Sequence, residues 1–239
     1  MTRAFYHDNP DTIELESRII KAKPGAVLVE DSPFFPGGGG QLADRGTVTV
    51  ANQSYQVTRV ESDAAGLWHM IDSDVELDGM ASLCIDSEFR NLMCELHTLA
   101  HIANAIVFQN FGNPLLTGAQ LADNGTLRLD FDLPGADNAK LRALEPDFND
   151  AINSGLEVNQ NYMSWDEANA ISGMFRSKTV APPRLEDGMV RIVNIAGLDQ
   201  QACGGTHLKS TGQSRPVKIL KVENKGRQNR RLRLGIDDS

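Results

Sequence analysis

Cysteine and histidine are scarce in this chain, and long apolar runs are missing altogether. Among 239 residues there are three cysteines and five histidines. Cys84, Cys94 and Cys203 are odd in number and form no disulfide framework, which excludes a stapled secreted domain and fits a reducing cytoplasm. No apolar stretch approaches the ~20 residues of a membrane span. Residues 1–10 contain no apolar segment of the kind that marks a secretory signal. The composition, 41% hydrophobic and 23% charged, is that of a soluble globular protein. The length suits one large domain or two modest ones.

The scarce residues are not scattered. His97 and His101 are four apart, and so are Cys203 and His207. On a helix, residues at that spacing share a face one turn apart. Leu92, Leu96, Leu99, Ala103, Ile106 and Val107 recur at helical spacing over residues 86–111, with Asp86 or Ser87 as N-cap and Gly112 as a stop. Alone, the first pair also reads as two histidines packed on an amphipathic helix. A metalloprotease is excluded, because that motif needs Glu directly after the first histidine and position 98 is Thr. The second pair lies in Cys203-Gly204-Gly205-Thr206-His207, where the glycines are expected to give a tight turn with positive φ. Alone, it also reads as a buried thiol beside an unrelated histidine. Together the pairs supply four N/S donors, the set a tetrahedral Zn²⁺ prefers, and they argue against the oxygen-seeking Mg²⁺ and Ca²⁺. Cys84 and Cys94 read as small buried hydrophobes, His7 and His69 as surface or packing residues, and Trp68 and Trp165 as core.

Basic residues are in deficit, with a net charge of −9, but not everywhere. From Lys209 onward nine basic residues face three acids, Glu223, Asp237 and Asp238. An acidic body with a basic C-terminal strip suggests a local contact with an anion such as a phosphate backbone. The bland reading is a solvated face on two strands, 217–222 and 231–236, joined by a loop over 223–230.

The chain divides near residue 80. Short β-like runs at 18–21, 26–30, 46–51, 55–62 and 67–70 predict a small barrel or sandwich, and 72–79 reads as the connection. Beyond it the pattern is α+β. The helix over 86–111 is followed by strands at 117–121 and 126–133, with Asn124-Gly125 as the hairpin turn. A helix over 139–153 follows, which Pro146 kinks or starts. A short helix at 164–173 has Ser164 and Glu167 as a capping box, and a strand covers 189–195.

Within the first part, Ser32-Pro33-Phe34-Phe35-Pro36 precedes four consecutive glycines and Gln41. Aromatics and prolines so close to the glycines favour an ordered loop allowing close backbone approach to a ligand over a floppy linker. No Lys-Ser/Thr follows, so it is not a phosphate loop of the Walker type.

Three stretches in this order carry a resemblance over nearly the whole chain. They are Ser32 to Gly40-Gln41 with Asp44-Arg45-Gly46, His97-Thr98-Leu99-Ala100-His101, and Cys203-Gly204-Gly205-Thr206-His207 with Thr211-Gly212. The chain resembles the editing domain of alanyl-tRNA synthetase, and especially the free-standing alanyl-tRNA editing proteins. Threonyl-tRNA synthetase editing domains share the two metal motifs, but the glycine-rich region favours the alanyl type. The resemblance implies a glycine-rich, β-barrel-like domain at 1–80 and an α+β, zinc-containing editing core at 81–239. It implies a cytoplasmic enzyme acting in trans that hydrolyses the aminoacyl ester of mischarged tRNA(Ala), chiefly seryl and secondarily glycyl. It further implies that His97, His101, Cys203 and His207 bind Zn²⁺, and that Ser32 and Gln41 line the amino-acid pocket. Gly37 stands where many synthetases carry Glu, and Ser32 where they carry Thr. No other cofactor, no membrane and no obligate protein partner is expected.

For such an enzyme, Zn²⁺ either activates a water or places the substrate's α-amino group, and the sequence leaves both open. Serine differs from alanine by one hydroxyl, so selection needs a placed polar group, assigned here to Ser32 and Gln41. The acceptor-end phosphates are assigned to Lys218, Lys221, Lys225, Arg227, Arg230 and Arg231. Two alternatives remain: a zinc-stabilised RNA-binding module without catalysis, and a deacylase for another misacylated tRNA.

Overall fold

The computed structural model describes residues 4–237. Asp238, counted above among the acids of the basic strip, lies outside them. The fold is mixed α and β and separates into two compact units. The first runs to Gly38 and resumes over Leu42–Asn91; the second comprises Gly39–Gln41 and the chain from Leu92 onward. The later division falls inside the first turns of a long helix. Among the described residues, no helix is long and apolar enough to cross a membrane.

The first unit begins with a one-turn helix α1, Phe5–Asp8, followed by strands β1 (Glu14–Lys23), β2 (Ala26–Val29), β3 (Gly46–Val50), β4 (Gln53–Asp63), β5 (Gly66–Ile71) and β6 (Met80–Ile85). These form a closed barrel in the order β1-β2-β5-β4-β3-β6. Along β6, Ala81, Leu83 and Ile85 are buried while Ser82 and Cys84 are half-buried, the period of two that a barrel wall requires. This strand follows the 72–79 connection and pairs with both β1 and β3, placing Cys84 opposite Glu14 and Thr47. Closure leaves the barrel no exposed edge. Val27, Phe34, Val48, Val57, Val60 and Leu83 are among the side chains that fill its core.

The segment after β2 is ordered by a buried ion pair. Asp44 accepts Arg90 Nε at 2.9 Å and the Phe35 amide at 2.6 Å, while Arg90 Nη2 donates to the Pro33 carbonyl at 2.8 Å. Phe34 and Phe35 are buried beside this clamp. Gly37, Gly38, Gly39 and Gly40 all have left-handed φ, from 62° to 127°. Glycine tolerates that conformation and other residues resist it.

The second unit contains most of helix α2, Ser87–Asn110. Asp86 caps it, accepting the Phe89 amide at 3.0 Å. Every residue from 93 to 107 is buried. The apolar spacing predicts a helix with one buried stripe, whereas this helix is enclosed on all sides. Its buried polar side chains must therefore find protein partners. Glu95 receives Arg215 at 2.7 Å, Thr98 donates to the Cys94 carbonyl at 2.8 Å, and Asn104 donates to Gln201 at 3.0 Å.

The remaining elements are β7 (Leu116–Leu121), β8 (Thr126–Asp132), α3 (Asn138–Arg142), α4 (Glu145–Asn153), β9 (Val158–Ser164), α5 (Trp165–Ala170), β10 (Met189–Ile195), β11 (Asp199–Ala202), β12 (Val217–Lys225) and β13 (Asn229–Ile236). They form one sheet in the order β12-β13-β8-β7 and another in the order β11-β10-β9. The single helix expected over 139–153 is two. Pro146 lies in the first turn of α4, where its missing N–H is no loss, so it starts a helix. The loop expected over 223–230 is a tight turn, because the strands continue to Lys225 and resume at Asn229. The capping box of Ser164 and Glu167 is present. Cys84, Trp68 and Trp165 are half-buried and not core, and His69, expected at the surface or in packing, is fully buried.

Candidate metal centre

Two elements bring the four donors together. Helix α2 presents His97 and His101 from successive turns, and the loop after β11 carries Cys203 and His207. One ligand atom from each lies within 4.8 Å of all the others. Cys203 Sγ is 3.5 Å from His97 Nε2 and 3.4 Å from His207 Nε2. Around one tetrahedral Zn²⁺, with Zn–S ≈ 2.3 Å and Zn–N ≈ 2.05 Å, sulfur and nitrogen stand about 3.6 Å apart. The donor set therefore fits such an ion in both chemistry and spacing.

The imidazoles are held from behind. His97 Nδ1 lies 2.7 Å from Gln41 Oε1, and His101 Nδ1 lies 3.0 Å from Asp199 Oδ2. Each partner favours a hydrogen on Nδ1 and so leaves Nε2 as the free donor atom. Gln41 is fully used in this role: its oxygen also accepts the Thr206 amide at 3.0 Å, and its nitrogen donates to Thr206 Oγ1 at 2.7 Å. Cys94 is buried and donates to the same hydroxyl at 3.2 Å. His207 Nδ1 is buried and has no hydrogen-bonding partner among the described residues.

Electrostatics separates the donors. Burial drives the His101 pKa down, but Asp199 and Cys203 reverse this and carry it up to about 9. Burial raises the Cys203 thiol, yet His97, His207 and His101 outweigh it and hold the pKa well below the usual thiol value. Burial, with His97 next, sets His207 well below the ordinary imidazole range. The result favours a thiolate, the form that ligates metals.

The glycines of the loop act differently from expectation. Neither Gly204 nor Gly205 has positive φ. At Gly205 the requirement is space: an added Cβ would stand 2.1 Å from His97 Cε1 and 2.7 Å from Gln41 Oε1. Arg191 then fixes the loop, donating to the Cys203 carbonyl at 2.9 Å and the Gly205 carbonyl at 2.8 Å. Leu208 N donates to Thr98 Oγ1 at 3.1 Å, tying the loop to α2.

Asp199 is the principal site residue that the sequence reading missed. It is buried, pairs with Arg176 at 2.9 Å, and accepts Gln201 Nε2 at 2.6 Å. It lies four residues before Cys203, but a single Asp in a polar stretch marks no motif. Arg191 was missed for the same reason.

Ser32, expected in the amino-acid pocket, lies in the first unit. Its buried Oγ is 2.7 Å from His69 Nε2 and accepts the Phe34 amide at 3.2 Å. The six residues of the basic strip differ in disposition. Lys225 and Arg227 are exposed at the β12–β13 turn. Lys218 and Lys221 are exposed too, but bridge to Asp237 at 2.7 Å and Glu223 at 2.9 Å. Arg230 is buried and donates to the Ala136 carbonyl at 3.1 Å. Arg231 stands across from Asp130 in the β13–β8 register and grips it at 2.7 and 2.8 Å.

Comparison with known proteins places this arrangement. Residues 190–233 match the family described as "Threonyl and Alanyl tRNA synthetase second additional domain". The chain is 31% identical over 236 residues to alanyl-tRNA editing protein AlaX-M of Saccharolobus solfataricus, covering 97% of this chain and 98% of that one. It is 31% identical over 247 residues to the AlaX-M protein of Methanosarcina barkeri, with both chains fully covered. The alanine–tRNA ligase of Methanopyrus kandleri matches at 28% over 92% of this chain, but over only 24% of the ligase. The chain belongs to the alanyl-tRNA editing protein family. Its activity is that of an aminoacyl-tRNA deacylase.

Proposed function

We propose that the chain removes serine, and secondarily glycine, from mischarged tRNA(Ala) by hydrolysing the ester to the 3′ adenosine, with Zn²⁺ held by His97, His101, Cys203 and His207. The observation that carries this is the convergence of four N/S donors with two of the imidazoles anchored through Nδ1. When bound, Zn²⁺ supplies Lewis-acid polarisation to a reaction whose substrate is already an activated ester. The chain's own residues do the positioning. Gln41 aims His97, Asp199 aims His101, and Gly205 gives both His97 and Gln41 room. Ser32 and Gln41 set the amino-acid preference, with Gln41 working through His97. We assign the domain roles accordingly: a glycine-rich barrel domain and a zinc-containing editing core.

The substrate's acceptor end brings phosphates, and the cations best disposed to meet them are the exposed Lys225 and Arg227, with Lys218 and Lys221 beside them. Arg230 and Arg231 brace the strand instead of reaching out. Charged tRNA places the activity in the cytoplasm, and no obligate protein partner is invoked.

The test is hydrolysis of seryl, glycyl, alanyl and threonyl esters of tRNA(Ala) side by side, with metal-loaded and metal-stripped protein. Seryl release should lead, and stripping or His101→Ala should lower it at least ~100-fold together with bound metal. Equal release from stripped protein would remove zinc from the reading. Faster threonyl than seryl release would reassign the substrate.

A further inference from the structure

Strand β11 and helix α2 are joined through four buried polar side chains. On β11, Asp199 and Gln201 are two apart and share the buried face, while Gln200 between them is exposed. On α2, His101 and Asn104 are three apart and share a face of the helix. Asn104 Nδ2 donates to Gln201 Oε1 at 3.0 Å, and Gln201 Nε2 donates to Asp199 Oδ2 at 2.6 Å. The same carboxylate oxygen lies 3.0 Å from His101 Nδ1, and Arg176 pairs with the other at 2.9 Å. The series leaves α2 at position 101 and returns to it at position 104.

Asp199 dictates the direction of every bond. A carboxylate only accepts. Gln201 must therefore turn its nitrogen toward Asp199 and its oxygen toward α2, and Asn104 must meet that oxygen with its own nitrogen. The last atom of the series, Asn104 Oδ1, is left buried with no hydrogen-bonding partner among the described residues. An orphaned buried carbonyl costs stability, and an apolar residue would fill a position on an enclosed helix without that cost. Packing does not account for an amide at position 104, whereas a relay to Asp199 does.

We propose that Gln201 and Asn104 are positioning residues of the metal centre. Gln201 holds Asp199 Oδ2 on His101 Nδ1, so that the imidazole keeps Nε2 for the cation. Asn104 locks Gln201 and pins to α2 the strand that runs directly into Cys203. The relay thereby sets the spacing of helix-borne and loop-borne donors before a cation arrives. This rests on the reading of His97, His101, Cys203 and His207 as a Zn²⁺ site.

The test measures Zn²⁺ affinity by chelator competition beside the denaturation midpoint of the metal-free protein. The double variant Asn104→Leu with Gln201→Met replaces both ends of one hydrogen bond by apolar groups of similar size and removes the orphaned oxygen. Its midpoint should hold or rise, while its Zn²⁺ affinity should fall about tenfold, the lower end of the cost of altering groups behind a ligand. Gln201→Met alone should lose as much affinity as the double variant, because Asn104 acts through Gln201. With Co²⁺ as a probe, the visible absorption bands of both variants should shift as the His101 ring turns. Unchanged affinity or unmoved bands overturn the proposal. So does a midpoint that falls together with affinity, since that is loss of structure alone. A double variant that binds Zn²⁺ more weakly than Gln201→Met overturns the relay through Asn104. If the variants fail to fold, the wild type decides: the Gln201 carboxamide hydrogens should exchange with solvent far more slowly than those of the exposed Gln200, and equal rates refute the relay. All these failures leave the four-donor site standing, whereas wild-type protein that binds neither Zn²⁺ nor Co²⁺ removes that reading and this proposal with it.

Discussion

His69 in the barrel and His101 in the second unit are both buried, 0% and 6% exposed, yet the pKa of the first lies near 4 and that of the second near 9. Desolvation pushes both down. The difference is in the company. His69 faces a neutral hydroxyl, which gives an imidazolium little, whereas His101 has the Asp199 carboxylate at 3.0 Å and the Cys203 sulfur. Burial therefore sets the starting penalty, and the charge of the partner decides the sign of the outcome. One unit uses histidine as a neutral hydrogen-bonding fixture. The other uses it where negative charge has been placed in advance, which suits a cation.

The largest effect that sharpens this contrast is acid sensitivity of the barrel. Because His69 has a depressed pKa, the unfolded chain binds its proton first as pH falls below about 6.5, while the folded chain resists until about 4. Stability is thus full above pH 6.5 and declines on acidification across that window, by up to about 3 kcal/mol from this group. Denaturant titrations at pH 7 and pH 4.5 should show a loss that shrinks in His69→Phe. An equal loss in both proteins would mean that His69 is already protonated or solvated, and the contrast would fail.

Next in size is the partner of His101. Asp199→Asn keeps a hydrogen-bonding side chain and removes the charge. It should weaken Zn²⁺ binding 10–100-fold in a chelator competition, the usual cost of altering a group behind a ligand. It also leaves Arg176 without its buried counter-charge, so the denaturation midpoint should fall as well. Unchanged metal affinity would show that the carboxylate serves Arg176 alone.

The smallest expected effect separates exposed from engaged cations. Replacing Lys225 and Arg227 with Ala should reduce the slope of log affinity for tRNA against log salt by roughly 1–2. Arg231→Ala should barely move that slope and instead lower stability, since it takes from Asp130 its two-bonded partner and leaves only Arg128 at 3.9 Å. The reverse result would place the phosphate contact on β13.

The convergence of His97, His101, Cys203 and His207 was legible because a metal site needs few residue types and the helix repeat puts His97 and His101 on one face. Helix α2 was legible to within a residue at each end from Asp86 and Gly112. What escaped has a physical reason in each case. β9 and β11 read Val-Asn-Gln-Asn-Tyr-Met-Ser and Asp-Gln-Gln-Ala, with too few apolar positions to show a period, and they are strands because β10 pairs with both. Asp199, Arg176 and Arg191 act across distances in sequence that no local pattern encodes. The role of Gly205 was misjudged because a glycine is read first as a backbone device, whereas here the missing methylene is what matters. Arg230 and Arg231 look identical to Lys225 in a charge count, and only the β13–β8 register separates them.

Half of the donor set rides on a helix enclosed over fifteen consecutive residues, and half on a loop held by a few side-chain hydrogen bonds. Amides of the enclosed helix should exchange with solvent last, and those of the loop far sooner. On the proposed reading, capture of a metal would be a one-sided event, with two imidazoles held in the enclosed helix and the thiolate carried by the loop.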